Sequence, residues 1–241
     1  MTRFVEPPQA TEFVKLSGRI TNYKCTRARA SFVFTQTDRT KMGVVAVAAG
    51  LAGLGGQAMA TASNTSDLEE DADLVEFSID GKSIKGWVWR SPFKDGDLVD
   101  VAAVTRGSDY ESFGIARLND RTVALYPHCS RGHIRHFANA AKWWLVLTSL
   151  PILLLCWLGR DVMQQLVAEG ILQWSVLGVA AFFFLMVFSL SRKWLPFVRV
   201  AENVFRTLGW SNPSNIDLKK RTKARRTKND PVEYGRFYFY Y

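Results

Sequence analysis

Two long uncharged runs dominate the pattern of apolar and polar positions. Between Lys142 and Arg160 lie seventeen residues without a charge, WWLVLTSLPILLLCWLG, and between Glu169 and Arg192 lie twenty-two, GILQWSVLGVAAFFFLMVFSLS. A helix rises about 1.5 Å per residue, so roughly 20 apolar residues cross a hydrocarbon core of about 30 Å. The second run meets that length outright. The first is at the short limit, and residues 136–141 extend its helix into the headgroup region. The pattern predicts a transmembrane hairpin over residues 137–191, with spans at about 137–159 and 171–191. Trp143, Trp144, Trp157, Trp174 and Trp194 lie near the ends of these runs, as residues of the membrane interface do. Pro151 is tolerable in a membrane helix and would kink it. The alternative, a buried hairpin of a soluble domain, is disfavoured by uninterrupted runs of this length.

From Phe13 to His128 the period changes to two, the period of strands. FVKLSGRITNY alternates Val14, Leu16 and Ile20 against Lys15, Ser17 and Thr21, and SFVFTQT follows after a basic turn. LVEFSID and SIKGWVW form an expected hairpin about Asp80 and Gly81. DLVDVAAVTR, introduced by Asp95 and Gly96, then ESFGIARL, then TVALYPH complete six or seven short strands. The expected fold is an α+β membrane protein. A small antiparallel barrel or sandwich of OB-like type fills residues 1–136, the hairpin follows, and a cytoplasmic amphipathic helix with a basic, aromatic tail fills 192–241.

An uncharged Gly/Ala-rich insertion, residues 42–66, interrupts the strands. Small residues recur at four-residue spacing, Ala46 with Gly50, Ala49 with Gly53 and Ala52 with Gly56, and such faces let membrane helices approach closely. A third span is discounted, because it would place two basic segments on opposite sides and split the strand domain. A helix packed on the membrane or the hairpin, and a Gly-weakened irregular insertion, both remain open. The acidic stretch DLEEDAD, residues 67–73, reads as a solvated loop.

Charge sets the expected orientation. Of the 31 Lys/Arg and 22 Asp/Glu in the 241-residue chain, residues 192–228 hold eleven and two, so that segment carries the whole net charge of +9. Arg131, Arg135 and Lys142 flank the first span, whereas the connection at 160–170 has Arg160 against Asp161 and Glu169. The positive-inside rule then puts both termini in the cytoplasm and the connection outside. The N-terminal stretch, with Glu6, Pro7, Pro8 and Glu12, lacks an apolar signal-peptide core, so insertion is expected to rely on the internal helices. Cys25, Cys129 and Cys156 contain no CxxC pair, which fits a reducing compartment.

Candidate chemistry is sparse. His128, Cys129, His133 and His136 are the only cluster of metal-ligand types, but H-C-x3-H-x2-H matches no established site and Arg131 and Arg135 would repel a cation. A basic juxtamembrane linker is preferred. No phosphate-cradling loop, GxSxG or HExxH is present, and the pairs Asp95/Asp97 and Asp109/Glu111 read as turn residues. The expectation is a non-enzymatic protein without a cofactor.

After the second span, Phe197, Val200, Ala201, Val204, Phe205 and Leu208 recur at helical spacing, forming a helix that would lie on the inner leaflet or dock on the barrel. Arg192, Lys193, Lys219, Lys220, Arg221, Lys223, Arg225 and Arg226 are candidate lipid-headgroup contacts, with nucleic acid the lesser reading. The closing EYGRFYFYY alternates like a strand and would add to the barrel's edge.

RTVALYPHCSRG before the hairpin, then AENVFRTLGW and IDLKKRTKARRTKNDPVEYGRFYFYY, resemble a group of proteobacterial membrane proteins labelled type VI secretion system effectors. The resemblance spans most of the chain from the strands onward, and its motifs are not catalytic. It implies a link to type VI secretion and to membrane-acting toxins. Two spans with positive-inside flanks describe a resident inner-membrane protein rather than a delivered one. An immunity or accessory protein contacting such a toxin in the bilayer is therefore the first expectation. The small-residue faces at 42–60 or about Gly178 would serve as packing surface for the toxin or a second copy. A membrane-acting effector and a tethered OB-like binding module are the alternatives.

Overall fold

The computed structural model describes residues 12–30, 70–159 and 167–241. The expected strand SFVFTQT, the insertion with Gly50 and Gly53, and most of the hairpin connection lie outside the described residues.

The strands are built around one bent run. β1 (Phe13–Arg19) and β2 (Thr21–Ala30) are separated only by Ile20. The Ile20 N–H donates to the Asp97 carbonyl and its carbonyl accepts from the Gly96 N–H, each at 2.9 Å. From that corner the halves part: β1 pairs with β5 (Leu98–Arg106), and β2 pairs with β3 (Glu70–Ile79). β3 turns into β4 (Lys82–Val88) through Asp80 and Gly81, both at positive φ, as a two-residue hairpin of this twist requires. β6 (Asp109–Arg117), β7 (Thr122–Leu125) and β8 (Tyr238–Tyr240) complete an eight-stranded sheet of order β1-β5-β6-β4-β3-β2, with β7 joining β6 to β8.

The expectation of a wholly antiparallel assembly is corrected at one pair. Ile84, Lys85 and Gly86 run parallel to Tyr110, Glu111 and Ser112. The far half of β6 leaves β4 and pairs antiparallel with β7 instead. A parallel pair needs a crossover, and β5 with the loop before it supplies one.

The acidic stretch is corrected too. Residues 70–73 open β3 rather than a solvated loop, and Asp73 is buried. Arg27 stands opposite Asp73 and Arg29 opposite Asp71, with ion pairs of 2.8 and 3.2 Å. Opposite charges directly across two strands stabilise the register, so the acids belong to the sheet. Asp95 and Asp97 are likewise more than turn residues. Asp95 accepts from the Tyr23 N–H at 2.9 Å, and buried Asp97 accepts from the Lys94 N–H and from Arg117.

Both faces of the sheet are covered. Val75, Phe77, Ile79, Val99, Val101 and Ile115 pack together on one face. On the other, Phe113, Val123 and Leu125 receive Val200, Val204 and Phe205 from a helix. Gly114 permits this approach, since a Cβ there would lie 2.5 Å from Val204 Cγ1 and 2.9 Å from Leu125 Cδ2.

That helix is α2 (Leu172–Thr207), 36 residues and therefore about 54 Å long. The first half of α2 packs against α1 (His133–Leu158). Trp144 Nε1 donates to the Ala180 carbonyl at 3.0 Å, and its ring meets Phe184 edge-on. Both helices are long and apolar enough to cross a membrane, and almost none of either apolar window is buried. The amphipathic stretch expected as a separate helix is the second half of α2, docked on the sheet. The expected boundary at 191/192 thus falls inside one continuous helix.

The basic run is folded as well. Asp217 caps α3 (Leu218–Arg225), accepting from the Lys220 N–H, while Leu218 and Thr222 are buried beneath it. Thr222 Oγ1 donates to the Leu218 carbonyl at 2.7 Å and accepts from the Tyr240 N–H at 2.9 Å. The aromatic tail adds β8 to the sheet as its alternation predicts, and the Arg225 guanidinium lies 4.7 Å over Tyr240.

Candidate functional site at the hairpin–sheet junction

The root of the hairpin is fastened from several sides. Gly132 precedes α1 and donates its N–H to the Ile216 carbonyl at 2.9 Å. A side chain at Gly132 would collide with the backbone of Pro213 and Ser214. The His133 N–H donates to Glu202 Oε1 at 2.7 Å, so a carboxylate from α2 satisfies an open donor at the start of α1. Arg131 Nε donates to Asp217 Oδ2 at 3.0 Å, tying the same corner to α3.

The four metal-ligand types do not converge. His128, at φ +68°, has its Nε2 2.7 Å from Glu70 Oε2 and lies among Trp89, Trp194 and Phe197, with ring centroids 4.9–5.4 Å away. Cys129 is buried in the core. His133 stacks edge-on to Phe137, and His136 Nε2 is 3.3 Å from the Ser191 carbonyl. No group of three or more His, Cys, Asp or Glu suited to a metal occurs among the described residues.

The junction encloses a cleft of about 720 Å³, a volume within the usual range of small-ligand sites. Arg131, Lys219 and Arg236 form its charged floor, and Leu147, Met186, Val187 and Leu190 its hairpin wall. Burial lowers the Lys219 ammonium below the usual lysine value, and nearby Arg131 lowers it further while Asp217 opposes both.

Among the expected interface tryptophans, Trp143, Trp157 and Trp174 are exposed, Trp144 faces α2, and Trp194 packs on the sheet domain. Nothing lies within 4 Å of where a Gly178 Cβ would stand, so that face of α2 is open. Arg192 reaches back over the Phe188 ring at 5.8 Å, whereas Lys220, Arg221, Lys223, Arg225 and Arg226 are exposed on and just beyond α3. Glu70, Glu202, Asn139 and Arg236 complete the junction without having stood out in the sequence. Glu70 and Glu202 meet partners 58 and 69 positions away, Arg236 is brought in by the tail, and no local spacing signals that.

Burial pushes the Cys129 thiol well above the ordinary value. In a maleimide mass-labelling experiment at neutral pH, exposed Cys25 is expected to react and Cys129 to stay unmodified until the protein is denatured. Equal native labelling of both would contradict the packing of the junction.

Comparison with known proteins finds no matching family model, curated protein or solved structure.

Proposed function

We propose that this chain is a non-enzymatic protein of a bacterial inner membrane, linked to type VI secretion, that acts as an immunity or accessory protein against a membrane-acting toxin. One observation carries the reading. Leu145, Leu150 and Leu153 of α1 and Leu177, Phe182 and Leu185 of α2 are each more than half exposed, so the hairpin offers apolar faces that only a bilayer or a helix within it would cover. Open Gly178 lies on the same flank of α2 as Phe182 and Leu185 and would let a toxin helix, or a second copy, approach closely. The basic segments after α2 support a cytoplasmic placement of both termini. A resident role is further supported by α2, which continues from the hairpin into the sheet core without a break.

A tethered binding module is the second reading, and the strand order favours it. Halves of one bent run, β1 and β2, stand at opposite ends of β5-β6-β4-β3, and β4 and β6 are parallel. That order fits an OB-like barrel, a fold whose loops often hold ligands, here with a cleft at its base.

Growth of a susceptible strain expressing the chain, with and without a membrane-acting toxin encoded beside it, tests the proposal. Protection without self-toxicity is the expected outcome. Self-toxicity would replace it with the effector role, and neither effect would leave the binding module as the better account.

A further inference from the structure

We infer that the junction cleft holds one anionic phospholipid, its phosphate between Lys219 and Arg236 and its acyl chains against the hairpin wall. The inference rests on the hairpin crossing a bilayer, as proposed above, and adds a defined site to it.

The cleft is graded in polarity. At its floor are three cations, Arg131, Lys219 and Arg236, and no carboxylate lines it among the described residues. Arg131 is ion-paired with Asp217, whose charge also acts on Lys219, and neither Lys219 nor Arg236 forms an ion pair of its own among the described residues. Both are exposed residues, and a phosphate would offer them a negative charge and several acceptor oxygens. A second hollow of about 610 Å³ shares Lys219 and Arg236 and adds Lys223, Arg226 and Lys228, again without a carboxylate. The positive floor therefore continues outward under any headgroup substituent.

The opposite end suits hydrocarbon. Leu147 stands fourteen positions into α1 from His133, roughly 21 Å along its axis, and lines the cleft together with Met186, Val187 and Leu190 of α2. Asn139 and Trp143 precede Leu147 along α1 and line the cleft as well, side chains that can donate hydrogen bonds as residues of an interface do. A free phosphate would use the floor alone, and a nucleic acid would leave the apolar wall unexplained. Basic pockets at the cytoplasmic ends of membrane helices take anionic headgroups by the same physics.

Native mass spectrometry of the full chain from nanodiscs containing phosphatidylglycerol or phosphatidylcholine tests this, with alkaline carbonate extraction run in parallel. We expect one phosphatidylglycerol to be retained at least roughly tenfold more often than phosphatidylcholine. Lys219→Gln with Arg236→Gln should abolish that preference, and Lys24→Gln with Lys94→Gln, exposed on the sheet domain and off the cleft, should preserve it. Leu147→Trp, which fills the wall and keeps every charge, should also reduce retention. Equal retention of the two lipids, an unaffected Lys219/Arg236 variant, or full displacement by inorganic phosphate or a single-stranded oligonucleotide would overturn the site. Release of the chain by carbonate would overturn the membrane reading itself, and is distinguishable from all of these.

Discussion

Phe205→Ala is expected to destabilise the sheet domain by about 3–5 kcal/mol, the usual cost of removing a fully buried phenyl ring. Phe205 is wholly inaccessible, wedged between the sheet and Trp210, whose ring stacks on it at 5.3 Å and continues to Tyr241. Its loss leaves a cavity where α2 docks. The apolar first half of α2 gains nothing from that contact, so the hairpin should be unaffected while the docked half loosens. Urea titration in detergent, followed by tryptophan fluorescence, would measure the change. Limited proteolysis should show Arg199 and Arg206 becoming cleavable in the variant. A midpoint shifted by less than about 1 kcal/mol would mean that the two halves of α2 are not divided in this way.

The second large effect is expected at Arg117. Its Nη1 donates to Asp97 Oδ2 at 3.0 Å and to the Pro92 carbonyl at 2.8 Å, while Nη2 and Nε hold Asp120 at 2.6 and 3.0 Å. One guanidinium thus joins the loop before β5, the end of β6 and the turn into β7. Arg117→Ala leaves the Asp97 carboxylate buried without its partner, and such a deletion costs about 3–5 kcal/mol. Replacing Asp97 as well should recover part of the loss, which a double-mutant cycle would show.

The same cluster makes a pH-dependent contribution. Partial burial of Asp120 opposes its ionisation, but hydrogen bonds from Arg117 and Thr122 outweigh that and hold its carboxyl below the ordinary aspartate range. A carboxyl lowered by folding stabilises the native state above its unfolded value, about 3.9, and that contribution fades as pH falls through the lower folded value. Asp120→Asn should therefore reduce stability at pH 7 and flatten the decline below about pH 4. An unchanged acid limb in the variant would assign that decline to other carboxyls.

The division between what was legible and what was not follows the range of the interactions. Val75, Phe77 and Ile79 alternate, Asp80 and Gly81 supply the turn, and both properties act over a few residues. Glu70 with His128, and Glu202 with the start of α1, are polar residues whose meaning lies in a partner far along the chain. The acidic stretch at 67–73 was misread for that reason, since Asp71 and Asp73 read as solvated until Arg27 and Arg29 are placed opposite them.

By itself, the sequence determined the hairpin, the strand-rich domain, the closing strand and the basic excess after α2, because periodicity, run length and charge are local properties. Only the tertiary structure decided that α2 runs unbroken from the hairpin into the sheet core, that β4 and β6 are parallel, and that Arg131, Lys219 and Arg236 face one cleft. Those features depend on which surfaces meet when the apolar stripe of α2 is buried over Gly114, and the pairing of distant surfaces leaves no period in the chain.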